Sequence, residues 1–212
     1  SLDDKIDLLH RQNKTLEAMA ETLFRQWFVE EAYEEWEEGV LGDLVSVKYG
    51  KDHKKLTDGL IPVYGSGGIM RYADTSLYAA ESVLIPRKGT LNNIIYIDEP
   101  FWTVDTMFYT EMKKPNIAKF IYHFVKDIDF AGMNVGSAVP SMTTEVLNNL
   151  PINIPPYSLI QEFNNVVNDL YKKKEANTIQ IRTLEKLRDT LLPKLMAGEV
   201  RVDYKKEAAG EY

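Results

Sequence analysis

The sequence predicts an α+β fold: one globular domain built on a bent, mainly antiparallel sheet, flanked by two long helices that form an antiparallel coiled coil. Three observations carry this. Apolar residues recur at heptad spacing at both ends of the chain, the middle breaks into short β-like runs separated by glycines, and helical stretches between those runs are few.

The first helix opens the chain. Leu2, Leu9, Leu16 and Leu23 alternate with Ile6, Asn13, Ala20 and Trp27, a heptad seam that ends between Val29 and Tyr33. An acidic run, Glu30 to Glu38, follows as a solvated connector in which Tyr33 and Trp36 anchor the hinge. From Gly39 the texture changes. Val40–Leu44, Leu60–Tyr64, Ser82–Pro86, Asn93–Ile97, Trp102–Val104 and Met107–Thr110 read as strands, Ile117–Val125 and Thr143–Asn148 as helices, and Leu150–Ile154 as a last strand.

Pro155-Pro156 then marks a boundary, with Ser158 as N-cap of a second long helix and Gln161 completing a capping box. Phe163, Leu170, Leu184 and Leu191 form one heptad row, and Ile160, Val167, Ile181 and Leu195 the other, interrupted by Lys174, Asn177 and Arg188. Pro193 is expected to bend or end this helix near Leu192, and Gly198 to break it before a strand-like Glu199–Val202. The organisation is therefore a first helix (1–33), a globule (39–157), a second helix with a terminal strand (158–202), and a charged, frayed tail (203–212).

Because one helix leads into the globule and the other out of it, adjacent helices run antiparallel. Setting Asn13 opposite Asn177 also pairs Ile6 with Leu184, Leu9 with Ile181, Leu16 with Lys174, Ala20 with Leu170, Leu23 with Val167 and Trp27 with Phe163. A buried Asn pair fixes coiled-coil register at some cost in stability. In this register Ser1 meets Asp189, so Leu191, Leu192, Leu195 and Met196 extend past the first helix. Clustered apolar groups are costly in water, so a homodimer is expected in which Leu191–Val202 crosses between chains.

Hydrophobic residues at 44% and charged ones at 27% describe a soluble protein, and no uncharged apolar run approaches a membrane span. The chain has no cysteine, which excludes disulfides and cysteine metal sites and fits a cytoplasmic setting. His10, His53 and His123 share no metal-ligand spacing, and no cofactor is implied. Net charge is −7, but the excess acid is local: residues 1–38 hold 4 basic and 11 acidic side chains, 39–157 hold 11 and 12, and 158–212 hold 10 and 9.

Several segments resemble one family, the DNA-specificity (S) subunits of type I restriction-modification enzymes. Leu184-x-x-Leu187-Arg188-Asp189-x-Leu191-Leu192-Pro193-Lys194-Leu195-Met196-Ala197-Gly198-Glu199-Val200-Arg201-Val202 is similar to their closing segment, and Asn13-x-x-Leu16-Glu17-x-Met19-Ala20-x-x-Leu23-Phe24-x-x-Trp27-Phe28-Val29 to their central helix. Gly59–Ile69, Pro86–Thr90, Ser137–Pro140 and Ile154-Pro155-Pro156 with Gln161 resemble a target-recognition domain. The resemblance covers nearly the whole chain. Family members carry two recognition domains; this chain has one, the central-type helix comes first, and there is no initiator Met, so it resembles the C-terminal half of an S subunit or a half-length subunit that pairs.

The resemblance implies a non-catalytic reader of one half of a split site on double-stranded DNA, with helices that set spacing and dock a methyltransferase (M) subunit and, through it, the restriction (R) subunit. Asn153-Ile154-Pro155-Pro156-Tyr157 agrees, because amino-methyltransferases place Asn or Asp directly before Pro-Pro-Tyr and here Ile154 intervenes; no Phe-x-Gly-x-Gly and no P-loop is present. Candidate DNA contacts lie where basic, aromatic and glycine residues share loops. Lys48, Lys51, Lys54 and Lys55 offer phosphate-binding charge, with Tyr49 and His53 as base contacts; Tyr64, Ser66, Gly67 and Gly68 bring backbone close to the sugar-phosphate chain; Arg71, Tyr72, Arg87 and Lys88 complete the set. On the residues alone, a tight turn and a solvated lysine loop explain the same stretches. A coiled-coil scaffold whose globule binds protein, favoured by the acidic balance, is the competing function.

Overall fold

The computed structural model describes residues 1–32, 36–133 and 142–197. Tyr33, Ser137–Pro140, the residues Glu199–Val202 expected as a strand, Gly198, and the tail lie outside them. The chain divides into two compact units, Ser1–Ala20 with Asn168–Tyr212, and Glu21–Val167.

The first unit is the helical pair. Helix α1 spans Leu2–Arg25, and the long C-terminal helix, α6, spans Tyr157–Met196; its 40 residues make a rod of about 60 Å. The expected register holds. Asn177 Nδ2 donates to Asn13 Oδ1 at 2.9 Å, and Asn13 Nδ2 donates to Thr178 Oγ1 at 3.2 Å. Ile6, Leu9 and Ile181 form a buried cluster with Leu184 against it. Where Leu16 and Leu2 oppose charges, neighbouring acids supply partners: Lys174 Nζ lies 2.9 Å from Glu17, and Arg188 Nη1 lies 3.2 Å from Asp3. Burial holds the Tyr171 hydroxyl well above its ordinary range, with the Glu17 charge adding to the effect.

Two expectations about α6 are corrected. The helix starts at Tyr157, one residue before the expected cap: the Pro156 carbonyl accepts from the amides of Leu159 (2.9 Å) and Ile160 (3.3 Å), which places Ser158 inside the first turn. Pro193 does not end the helix either. It removes one hydrogen-bond donor, yet its own carbonyl accepts from Ala197 at 2.9 Å, so the turn continues to Met196.

In the second unit, α1 gives way to a π-helical turn, Gln26–Glu30. The strands are β1 (Glu37–Val40), β2 (Val45–Tyr49), β3 (Asp58–Gly65), β4 (Gly68–Ala73), β5 (Ser82–Pro86), β6 (Ile95–Ile97), β7 (Trp102–Thr103), β8 (Met107–Met112) and β9 (Pro151–Ile154), and the shorter helices are α2 (Leu41–Leu44), α3 (Ala118–Lys126), α4 (Phe130–Met133) and α5 (Thr144–Asn148). They build three sheets, ordered β1-β9, β2-β8-β5-β6 and β4-β3-β7, antiparallel except for the β3–β7 pair.

The strand expected at Val40–Leu44 is instead the end of β1 and the turn of helix α2, because the Asp43 carboxylate accepts from the Val40 amide at 2.9 Å and closes a helical turn. β2 and β4, hidden beside lysine- and glycine-rich loops, were not expected as strands. Of the two threonines that could cap α5, Thr143 and Thr144, it is Thr143 that does so, its hydroxyl accepting from Val146 N at 3.2 Å.

β5 is buried along its whole length and organises the core. Beneath it Tyr64, Leu84, Ile97, Phe101, Met107 and Tyr109 form one cluster. A second aromatic core joins the π turn to α3 and α6: the Phe28 ring lies 4.9 Å from Phe120 and 5.2 Å from Phe163, and Trp27 lies 6.1 Å from Phe163, the pair expected from the heptad register. Trp36 reaches Phe28 at 6.1 Å, so the connector is anchored by this ring.

Candidate nucleic-acid interface

Part of the candidate set comes together: Tyr49 at the end of β2 meets Arg87, and the Ser66–Gly68 turn abuts the loop that carries Arg87. Tyr49 pairs with Phe108 across β2 and β8, and its ring stands edge-on to that of Phe108 at 5.0 Å. The Arg87 guanidinium lies 5.4 Å from the centroid of the Tyr49 ring, a cation–π contact. Backbone bonds hold the Arg87 loop: its amide donates to Thr106 at 2.8 Å, and its carbonyl accepts from Met142 at 2.8 Å. After Tyr49 the chain passes so close to β7 that a Cβ at Gly50 would lie 2.0 Å from the Val104 carbonyl oxygen, so only glycine fits.

The second part is the tip of the β3–β4 hairpin. Gly65 pairs with Gly68, and Gly68 takes a φ of 115°, in the left-handed region that favours glycine. Asn93 Nδ2 donates to the Ser66 carbonyl at 2.8 Å, and a Cβ on Gly89 would sit 2.7 Å from Ser66 Oγ. The Ser66–Gly68 turn and the Arg87-Lys88-Gly89 loop are therefore in direct apposition.

The other candidates divide by their partners. Lys51, Lys54, Lys55 and Lys88 are exposed, and among the described residues none has an acidic group within salt-bridge distance. Lys48 lies 3.7 Å from Glu111. Arg71 is engaged, 2.5 Å from Asp58 and 3.2 Å from the Leu56 carbonyl, so its charge is compensated within the fold. His53 is half-buried, and its Nδ1 has no hydrogen-bond partner among the described residues. Tyr72 is exposed on β4. Tyr64 is the clear departure from the expected surface set: it is 8% exposed and packs in the core cluster with Leu84 and Phe101.

Neighbouring groups set the local electrostatics. Burial, reinforced by Glu111, raises the hydroxyls of Tyr78 and Tyr109 above their ordinary range. Sequence reasoning missed the apolar rim of the hairpin, Ile69 and Met70, which are exposed beside the glycine turn. Their signal was the run of β-prone residues Ile69 and Tyr72 after Gly68, obscured by reading the glycines as a loop.

Against known proteins, residues 33–185 match the model of the type I restriction modification DNA specificity domain. The chain belongs to this family. The type I restriction enzyme MjaIX specificity subunit of Methanocaldococcus jannaschii is 25% identical over 253 residues, covering 95% of this chain and 56% of that protein. The HindI specificity subunit of Haemophilus influenzae is 28% identical over 110 residues, covering 52% of this chain and 22% of that one.

Among solved structures, the type I restriction-modification S subunit from M. genitalium shares the fold with a TM-score of 0.72 at 21% identity, covering 92% of this chain and 57% of its own. The HsdS subunit from Thermoanaerobacter tengcongensis does so at 0.51 and 13% identity, covering 92% and 54%. The chain spans about half the length, or less, of these specificity subunits. Among the described residues no helix is long and apolar enough to cross a membrane, and no group of three or more His, Cys, Asp or Glu is placed to hold a metal ion.

Proposed function

We propose that this chain reads double-stranded DNA as the specificity component of a type I restriction-modification complex. It is itself non-catalytic, and it positions a methyltransferase subunit and, through it, a restriction subunit. The observation that carries the reading is the apposition of Tyr49 and Arg87, the Ser66–Gly68 turn and the exposed Lys88 in a member of the DNA specificity family. Backbone amides and unpaired lysines suit phosphate, while aromatic and guanidinium edges suit bases.

In this reading residues 39–157 form the recognition domain, and the segments 1–33 and 158–202 form the spacer. The setting is cytoplasmic. Affinity in isolation is modest, because 11 basic side chains face 12 acidic ones within 39–157.

A gel shift with the cognate methyltransferase subunit present tests the reading. Salt-sensitive, sequence-dependent retention is expected; capture of the partner with no dependence on DNA would instead favour the protein-binding scaffold. The exposed Leu192, Leu195 and Met196 support a homodimer through the end of α6. A variant truncated after Leu187 should sediment as a monomer where the full chain is a dimer; identical sedimentation removes this contact from the reading.

A further inference from the structure

Met70 is exposed, yet its seat is built into the hairpin. Val63 pairs with Arg71 and Tyr64 with Ile69, so the register shift between Val63 and Tyr64 leaves Met70 opposite no residue. Such a bulge re-aims a side chain. The Met70 side chain turns across Gly65, where a Cβ would lie 2.5 Å from its Sδ and 3.1 Å from its Cγ. Any residue but glycine at 65 would displace it. Even so, Met70 remains 58% exposed, next to the Ser66–Gly68 turn that abuts the Arg87 loop.

Singly exposed apolar side chains are ordinary on protein surfaces, and Leu60, 93% exposed and five residues from the turn on β3, is of that kind. Met70 differs because a bulge and a glycine together hold it among the candidate DNA contacts. An unbranched, polarizable thioether next to the Ser66–Gly68 turn can sense what charge cannot.

We infer that Met70 is a specificity-determining residue that packs against the 5-methyl group of a thymine. The inference rests on the DNA-reading function proposed above. A two-stranded ribbon fits the major groove, where the thymine methyl is the distinctive apolar feature among the base edges. Phosphate contacts from Lys51, Lys54 and Lys55 would fix position without reporting sequence. The hairpin adds a contact that depends on the base.

The test uses the 212-residue chain and a duplex selected with it from a randomised pool. Each thymine is replaced in turn by uracil, which removes only the methyl group. At one position the replacement should weaken wild-type binding about fourfold, the worth of one buried methyl. Met70→Ala should bind the thymine and uracil duplexes alike with an unchanged salt slope, and Met70→Leu should keep the discrimination. Salt-sensitive binding by the wild type with no uracil effect, or equal discrimination by Met70→Ala, would overturn the role of Met70 alone. Retention that does not respond to salt would overturn the DNA reading with it.

Discussion

The paired helices and the loop face of the globule treat polar side chains in opposite ways. Along the helices every interruption of the apolar seam is answered: Asn177, 1% exposed, bonds Asn13; Lys174 meets Glu17; Arg188 meets Asp3 and Asp189. On the loop face Lys51, Lys54, Lys55 and Lys88 stand in solvent with no acidic partner among the described residues. A buried amide is costly unless it is bonded, so the seam admits one register; an exposed ammonium is satisfied by water and stays available to an outside anion. The helices are thus specified internally, whereas the lysines of the loop face are left to solvent.

The severest way to break the contrast is at Phe163, which is fully buried and rings with Phe24, Trp27, Phe28 and His123. Phe163→Ala should lose about 3–5 kcal/mol in urea denaturation, while the surviving folded protein keeps the wild-type salt dependence of DNA binding. Next is the polar lock. Asn177→Ala takes the donor from Asn13 Oδ1 and should cost about 1–3 kcal/mol, whereas the double change of Asn13 and Asn177 to Leu should restore melting temperature and relax the register, seen as new cross-links between cysteines placed along the two helices.

On the loop face the expectation reverses. Replacing Lys51, Lys54 and Lys55 together with Ala should leave stability within about 0.5 kcal/mol of wild type. It should also flatten the slope of log K against log salt by up to about 0.9 per lysine and weaken all sequences equally. A changed base preference at constant slope would place these lysines at base edges instead.

The mildest effect concerns Tyr171. Its hydroxyl is held above the ordinary value of 10.0 in the folded helices, by burial first and then by Glu17. The unfolded chain therefore releases this proton at lower pH than the folded one, so the stabilisation is complete below about pH 10 and is lost as pH rises further. Denaturation midpoints measured across that range should fall for the wild type, and part of the fall should vanish in Tyr171→Phe.

Much of this was legible in advance, for identifiable reasons. The Asn13–Asn177 register followed from heptad spacing and chain direction, because a helical seam repeats and one pair determines its neighbours. The unpaired lysines and the Ser66–Gly68 turn were legible as well, since glycine and clustered charge report locally. Tyr64 was not: a shifted register decides which side of a strand faces the core, and here it rests on a bulge opposite β4, a strand that was not expected, and on a parallel pairing with β7, which is remote in sequence. The unexpected strand β4 concealed the engagement of Arg71 by Asp58 and the seat of Met70 on Gly65, and distance in sequence concealed the apposition of Gly89 with Ser66.

By itself the sequence determined the α+β class, the two long helices, the antiparallel seam and its register, all products of periodicities read within one segment or between two repeating ones. Only the tertiary structure decided which candidate side chains reach solvent, which are neutralised, and which loops stand together. Strand pairing joins segments whose sequences carry no record of one another, and burial and charge at each residue depend on that pairing.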